Sequence, residues 1–302
     1  MLCLLTGLFF SAAPVKGQVN NPFGEDTSKT KIIRNIFSST RIVNGHSVEQ
    51  KLGKQLEFRI SHRFGPVNSK AYNFFGLDQG LIHFSLEYGI KDWLTLGIGR
   101  GTFLKTYDAF AKFLILNQTT GEKNFPFHLT FLTSAEMITL KQDQLQFLFQ
   151  EDTQAPWITS RMAYTQQLLI AREFNDHFSF QLTPTYIYRN MGYGNPLDKN
   201  IAALGFGARY RITKKMFINV EYYLVHRQHP DQVLEFLGTK YYNPLSVGLD
   251  IVAGGHVFQI TLTNSQYMRE NSFIATTTEP WKDGGIHLGF NISRTFDFYK
   301  DY

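Results

Sequence analysis

His177 and Ser179 are the residues whose types and spacing best suit nucleophilic chemistry, and they open one predicted strand. A serine hydroxyl becomes a nucleophile only when a base and an orienting third group lie beside it. Ser179 shares its strand face with Gln181 and Thr183, which we predict to point away from lipid. His177 follows a tight turn, on the side that we predict to be periplasmic. We therefore expect no catalytic residues and no lipid hydrolase activity.

Metal and cofactor chemistry finds little support in the sequence. His226 and His229 share one loop with Asp231, but two loop histidines are usually solvated. The run Gly97–Gly101 has the composition of a phosphate loop, yet no helix follows it, so we interpret it as part of a strand. The only cysteine is Cys3, which leaves the mature chain without a thiol for zinc or for haem attachment. We predict no metal site and no cofactor.

A larger set of polar side chains recurs at every second position of the predicted strands, so these side chains share one face of each strand. In a barrel they would line the lumen, where their mixed signs suit either a hydrated pore or a lumen crossed by ion pairs. A barrel of about twelve strands lies between filled small barrels and open porins. The predicted lumen-lining residues are Glu57, Arg59, Arg63, Glu87, Asp108, Lys112, Gln181, Arg189, Arg209, Arg211, Glu221 and Asp250.

The elements that position these residues are strands with one apolar and one polar face. In Gly284–Phe296, large apolar residues such as Ile286 and Phe290 alternate with small or polar ones such as Gly289 and Asn291. Strands of about ten residues are long enough to cross an outer membrane at a tilt. The predicted strands are Leu56–Phe64, Leu81–Ile90, Trp93–Gly101, Tyr107–Ile115, Phe127–Met137, Arg161–Ala171, Phe178–Arg189, Ala203–Ile212, Met216–Val225, Leu245–Val252, His256–Asn264 and Gly284–Phe296.

The connections between these strands alternate between tight and long, which is the sidedness of outer-membrane barrels. Thr102–Thr106 and Asn117–Phe125 break the alternation, the first being short for an outer loop and the second long for an inner turn. We expect the long loops to face outward; those that carry this prediction are Gly65–Gly80, Leu140–Trp157, His226–Asn243 and Ser265–Asp283. The fold class predicted is all-β: an antiparallel transmembrane β-barrel of about 12 strands with a short N-terminal extension.

Composition agrees with this fold and argues against other classes of protein. The 302 residues are 15% aromatic and only 18% charged, as expected for many strands that each have an apolar face. No apolar run of about 18 residues occurs beyond the extreme N-terminus, so we predict no transmembrane helix. The net charge of +5 comes without a stripe of basic residues or a recognition fold, and we predict no binding to nucleic acid.

The N-terminal region divides into two predicted parts ahead of the barrel. An apolar run that ends in small residues predicts a signal peptide over 1–17, followed by an N-terminal extension over 18–54 and the barrel domain over 55–302. The extension could lie in the periplasm or tuck into the barrel mouth, and a short strand is predicted at Ser39–Val43. We expect export to the outer membrane of a Gram-negative cell envelope, where outer-membrane lipid and lipopolysaccharide would surround the barrel.

Several sequence blocks resemble a Bacteroidota β-barrel family catalogued as domain of unknown function 5777. The blocks extend over most of residues 40–296, and the most distinctive are Asn44–Glu49, Leu56–Gly65, Trp93–Arg100, Gly254–Gln259 and Gly289–Arg294. The resemblance implies a signal peptide and an outer-membrane barrel, but no assigned activity and no catalytic residues. Family members are often encoded near secreted cytochromes and lipid-binding proteins, which implies a redox or lipid context.

Two functions from different classes remain open at this point. The barrel is either a passive channel for a small solute or a non-conducting, structural barrel that binds a secreted or periplasmic partner, such as a redox or lipid-binding protein. Conductance in planar bilayers would separate the two.

Overall fold

The computed structural model describes residues 30–149, 157–190, 199–227, 238 and 240–298. Twelve antiparallel strands close into one barrel, in which the first barrel strand pairs with the last. The barrel strands are β2 (Gln55–Pro66), β3 (Gly80–Lys91), β4 (Leu94–Gly101), β5 (Tyr107–Leu116), β7 (His128–Met137), β8 (Met162–Glu173), β9 (Phe178–Arg189), β10 (Asn200–Arg211), β11 (Met216–His226), β12 (Leu245–Ala253), β13 (His256–Thr263) and β14 (His287–Asp297). The predicted barrel of about twelve strands is confirmed.

Alternation of apolar and polar residues along each strand explains why the barrel wall has an apolar outer face and a mostly polar inner face. In β9, Phe178 and Tyr186 are exposed on the outer surface, whereas Gln181 and Thr183 are buried inside. Successive side chains of a strand point to opposite faces, so one apolar and one polar row result from a single period-2 pattern. The outer row forms the apolar belt that a membrane barrel turns toward lipid.

In the part of the chain that the structure describes, helices occur only in the connections. They are α1 (Gln142–Phe149), α2 (Trp157–Ser160) and α3 (Glu270–Phe273), with 3₁₀ turns at Val67–Ser69, Ala71–Gly76, Phe103–Lys105 and Trp281–Asp283. Among the described residues, no helix has both the length and the apolar character needed to cross a membrane.

The two ends of the barrel differ, as the connections predict. One end, here the turn end, carries the tight connections after β3, β8, β10 and β12 together with the start of β2 and the end of β14. The opposite loop end carries the long connections. The expectation that Ser265–Asp283 faces outward is wrong for much of that loop, because residues 269–277 are buried inside the barrel.

The long connection Asn117–Phe125 at the turn end has a structural reason. It holds β6 (Thr119–Thr120), which pairs with β1 (Lys31–Ile32) in a separate two-stranded sheet. This sheet clamps the chain just before it enters the lumen. The strand predicted at Ser39–Val43 does not form; a single bridge between Arg41 and His46 takes its place, because this stretch turns back on itself inside the barrel.

Candidate functional site

The lumen is filled by the chain itself. The inserted segment, residues 35–51, enters from the turn end and is buried over most of 36–48. It forms a hairpin whose tip is closed by a hydrogen bond from the Ile42 N–H to the Gly45 carbonyl, 2.8 Å, and whose legs are joined by one from Ser47 N–H to the Thr40 carbonyl, 3.0 Å. Residues 36–48 of the predicted N-terminal extension thus lie in the lumen rather than only at its mouth.

Glu221 on β11 holds the tip of this hairpin. Its carboxylate accepts hydrogen bonds from the backbone N–H groups of Val43, Asn44 and Gly45, at 3.2, 2.9 and 3.0 Å. Hydrogen bonds to an ionised acceptor are stronger than neutral ones. Only glycine fits at position 45, since a Cβ there would lie 2.1 Å from the Tyr223 hydroxyl oxygen. The tip is therefore matched to this part of the wall by both charge and shape.

Lys112 on β5 holds the two legs. Its ammonium donates to the carbonyl oxygens of Thr40, Ser47 and Glu49, at 3.1, 3.1 and 3.0 Å. An anion thus binds the donors of the tip and a cation binds the acceptors of the legs. Each satisfies backbone groups that would be costly to bury unpaired.

Amide side chains complete the grip on the backbone. The Gln181 side chain accepts from the Val48 N–H and donates to the His46 carbonyl, at 2.9 and 2.8 Å. Gln259 donates to the Ile42 carbonyl, 2.7 Å, in the same manner. Because these hydrogen bonds are made to backbone groups, they determine the path of the segment and depend little on which side chains it carries.

His46 is the one histidine of the inserted segment, and it is fully buried. Its ring lies edge-on to Phe110, with centroids 4.6 Å apart, and its Nε2 is 3.6 Å from the Glu270 carboxylate, beyond hydrogen-bonding distance. Burial lowers the pKa of His46 well below its usual value, and the nearby Arg41 and Lys112 lower that pKa further. The imidazole is therefore neutral in this closed state at neutral pH.

A second insertion closes the lumen from the loop end. The closing loop, residues 264–277, turns into the barrel and carries α3. Arg269 pairs with Asp108 on β5 at 2.5 Å, and Glu270 pairs with Arg41 of the inserted segment at 2.5 Å. The two insertions therefore meet through an ion pair near the middle of the barrel.

Little space remains between the insertions and the wall. Two cavities beside them measure only about 10 Å³ each, roughly the room that one water needs. A larger cavity of about 580 Å³ lies at the turn end, lined by Arg34, Glu49, Lys51, Asp92 and His128 among others. The two insertions thus fill most of the lumen, and we call the cavity at the turn end the vestibule.

Most predicted lumen-lining residues lie inside the barrel, and several of them contact the inserted segment. Arg59 donates to Ser39, while Arg209 donates to the Asn35 carbonyl. Arg211 lies at the turn-end mouth, where it faces the exposed Asp176 at 3.4 Å. Those buried are Glu57, Arg59, Arg63, Glu87, Asp108, Lys112, Gln181, Arg189, Arg209, Glu221 and Asp250.

The hydrolase pair considered from the sequence is not assembled. His177 is exposed at its turn, where Nδ1 lies 3.1 Å from the Arg211 carbonyl. Ser179 is buried in the lumen beside Arg209, 3.3 Å away. Of the loop histidines, His226 ends β11, while His229 and Asp231 lie outside the described residues.

Sequence reasoning missed the partners supplied by the two insertions, chiefly Arg41, Asn44, Arg269 and Glu270. A usable signal existed in the block Asn44-Gly45-His46, because a glycine beside polar residues marks a tight turn. Nothing in the local pattern indicates that Arg269 and Glu270 fold inward.

The inner wall has two unlike halves. The polar half consists of β12, β13, β14, β2, β3 and β4, and the mixed half of β5, β7, β8, β9, β10 and β11, where apolar residues are buried beside charged ones such as Lys112 and Glu221. Every buried apolar residue of the described strands lies in the mixed half; they are Phe110, Leu132, Ala163, Leu169, Ala171, Ile187, Ile201, Phe217, Tyr223 and Val225. Buried residues of the polar half are polar or glycine, among them Glu57, Arg59, Arg63, His83, Glu87, Ser246, Asp250, Gln259, Thr261, Asn291 and Ser293.

The chain matches one family model, described as "Membrane bound beta barrel domain (DUF5777)", over residues 37–296. A structure of the NanC porin is 9% identical over 80% of this chain and 100% of that chain, with a TM-score of 0.46. The KdgM porin is 10% identical over 81% and 99%, with a TM-score of 0.45. The COG4313 outer membrane channel from Pseudomonas putida F1 is 12% identical over 82% and 97%, with a TM-score of 0.46. A comparison with curated proteins returned no match.

Proposed function

The chain belongs to the membrane bound beta barrel domain family (DUF5777), and we propose that it is an outer-membrane channel for a small solute, held shut by its own N-terminal segment. The observation that carries this proposal is the burial of residues 36–48 in the lumen, where Glu221 and Lys112 bind their backbone. Tight turns at one end and long loops at the other are the sidedness of outer-membrane barrels. The turn end would then face the periplasm.

The way in which the inserted segment is held suits a gate. Its contacts with Glu221, Lys112 and Gln181 are hydrogen bonds, which water can replace once the segment leaves. It continues into β2 at one end, and at its other end β1 pairs with β6 of the Asn117–Phe125 connection, so both of its ties to the wall lie at the turn end. Withdrawal toward the turn end would leave a lumen whose polar half is able to hold water.

A non-conducting barrel that binds a partner is the second candidate. The completeness of the closure favours it, because the cavities beside the insertions are too small for a solute. In that case the vestibule of about 580 Å³ at the turn end, lined by Arg34, Asn35 and Lys51, is the natural place for a secreted or periplasmic partner to bind.

A disulfide between the inserted segment and the wall separates these functions. A Cβ built on Gly248 of β12 lies 3.2 Å from Cγ2 of Val43, so a cysteine sulfur in place of that methyl group lies close to a cysteine at 248, as a disulfide requires. We therefore design Val43→Cys/Gly248→Cys in a Cys3→Ser background, so that no other thiol is present. We expect the reduced protein to open under voltage in planar bilayers and the oxidised protein to stay silent.

A matched staple controls for rigidity of the wall. Val257 and Ser293 are facing partners on β13 and β14, and Val257→Cys/Ser293→Cys links those strands without tethering the segment. Oxidation of this control is expected to leave the current unchanged. Silence of the reduced protein at high protein load would overturn the channel and leave the partner-binding barrel.

A further inference from the structure

One seam of the barrel wall lacks its full ladder. Residue pairs between β8 and β9 extend to Gln167 opposite Thr185 and resume, in the same register, at Ile170 opposite Leu182. Leu168 and Leu169 between them have no partner in β9. Pro184 lies opposite Leu168 in this register, and proline has no N–H to donate. Its pairing with β10 is unbroken, so the gap lies on the β8 side.

The other irregularities in the barrel have a different form. The ladders β14–β2, β3–β4 and β5–β7 are each interrupted at a shift of register. Among the described strands, only the β8–β9 seam loses two facing pairs without a shift. Proline in a sheet is normally confined to edges and bulges, and here it removes a hydrogen bond between two strands that keep their register in a closed wall.

Apolar surface lies on the outer side of this seam. A groove of about 800 Å³ crosses β8 to β11 in the loop-end half of the outer wall. Its outward-facing lining includes Phe131, Leu168, Pro184, Leu204 and Leu224. A groove of this character, in a position that faces the bilayer, accepts hydrocarbon.

Apolar surface also lies on the inner side. Leu169 is fully buried and belongs to one cluster with Ala171 and with Phe37, Ile42 and Val48 of the inserted segment. Elsewhere the segment is held by hydrogen bonds, but here it covers an apolar patch. The patch adjoins the two unpaired positions of the ladder, so apolar residues lie on both faces of the wall where Pro184 removes a hydrogen bond.

We propose that the β8–β9 seam is a lateral portal between the lumen and the bilayer, and that the solute is an amphiphile with a hydrocarbon chain. This inference rests on the proposed function, since the inserted segment must leave before a solute can enter. Withdrawal of the segment uncovers Leu169 and Ala171 while exposing the charged residues of the polar half. A hydrocarbon chain covers the first set and a polar head group contacts the second, so one amphiphile satisfies both halves.

The portal is tested by labelling from the membrane phase. Leu169→Cys, in the Cys3→Ser background, places a thiol on the lumen side of the seam. Ser61→Cys on β2 is the matched control, because Ser61 is also buried and inward-facing but both neighbouring ladders pair it fully. We expect N-dodecylmaleimide dissolved in liposomes to label Cys at 169 at least tenfold faster than Cys at 61.

Restoring the ladder gives the second arm of this test. Pro184→Val supplies the missing N–H and keeps an apolar residue toward lipid, so it is expected to lower labelling at 169 to the rate at 61. Heat-shifted mobility on gels verifies that each variant is a folded barrel. Equal rates at 169 and 61, no labelling at either, or labelling at 169 that is insensitive to Pro184→Val would overturn the portal.

The class of solute is tested separately from the channel itself. In the reduced Val43→Cys/Gly248→Cys protein, decanoate is expected to block the current at least tenfold more effectively than acetate at the same concentration. A current that both acids block equally, or that neither blocks, overturns the amphiphile while the channel stands. Absence of any current is instead the failure of the proposed function.

Discussion

The two insertions that close the lumen are held in different ways. The inserted segment is held through its backbone by Glu221, Lys112 and Gln181, and both of its ends, one leading to β2 and one to the β1–β6 pair, lie at the turn end. The closing loop is attached at both ends, by β13 and β14. It is fixed by the Arg269–Asp108 ion pair and by Phe273, which is fully buried in an apolar cluster. From this difference we propose that the segment leaves as a unit, whereas the loop stays with the wall.

The sharpest way to break this comparison is to weaken the grip on the tip. Glu221→Gln keeps the size of the side chain but removes the charge and one of the acceptor oxygens that bind three N–H groups. We expect a loss of about 3 kcal/mol in seating of the segment, or roughly a hundredfold higher open fraction. Single-channel recording in planar bilayers measures it.

Glu136→Gln is the matched control for that variant. Glu136 is also a buried wall carboxylate, but it accepts from the Asn271 N–H of the closing loop, 3.1 Å away. Its open fraction is expected to stay near that of the unaltered chain. A similar rise in both variants would show that the two insertions open together and would end the distinction.

Acid is expected to have the next largest effect on opening, because it protonates His46. His46 is the only histidine in the inserted segment and the closing loop. The pKa of His46 is lowered when the segment is seated, so the seated form binds a proton less readily than the released form. Seating is therefore fully stable above the ordinary histidine pKa of about 6.5 and weakens as pH falls below it, by at most about 1.4 kcal/mol per pH unit.

Conductance recorded between pH 7.5 and pH 5 measures this effect. His46→Phe keeps a ring against Phe110 but cannot titrate, and it is expected to remove most of the pH dependence. The groups that face His46 are Arg41, Arg59, Lys112, Arg269 and Glu270. An unchanged pH profile in His46→Phe would show that another group carries the response and would overturn the role given to His46.

The smallest effect on opening is expected from the closing loop. Arg269→Gln removes the cation that pairs with Asp108, which costs several kcal/mol of local stability when the partner stays buried. Hydrogen exchange in residues 264–277 should quicken markedly, while the open fraction changes less than about threefold. An increase in open fraction as large as that of Glu221→Gln would show that the closing loop, and not the inserted segment, controls opening.

The wall could be predicted from the sequence because its signal is local. Each strand shows its own alternation, as Phe178 to Arg189 does, and the bounds found in the structure differ from those predicted by only a few residues. Pro184 also carried a readable signal, since a proline within a strand predicts a broken ladder.

The contents of the lumen could not be predicted in the same way. The contact between Asn44 and Glu221 spans 177 positions, and that between Arg269 and Asp108 spans 161. No short window of sequence contains both partners of either contact. The inserted segment lacks apolar alternation, so its sequence predicts only an extension. The closing loop is polar, so its sequence predicts an exposed loop. Their partners come together only in the closed barrel.

The same long spans have a consequence for assembly. The residues that grip the tip lie on late strands, with Glu221 on β11, Gln259 on β13 and Asn291, which donates to the Val43 carbonyl, on β14. Contacts this distant in sequence form late in folding. The inserted segment, which is synthesised ahead of the barrel strands, thus docks fully only after the last strand has paired. During assembly, each molecule passes through an intermediate whose lumen is not yet filled by the segment.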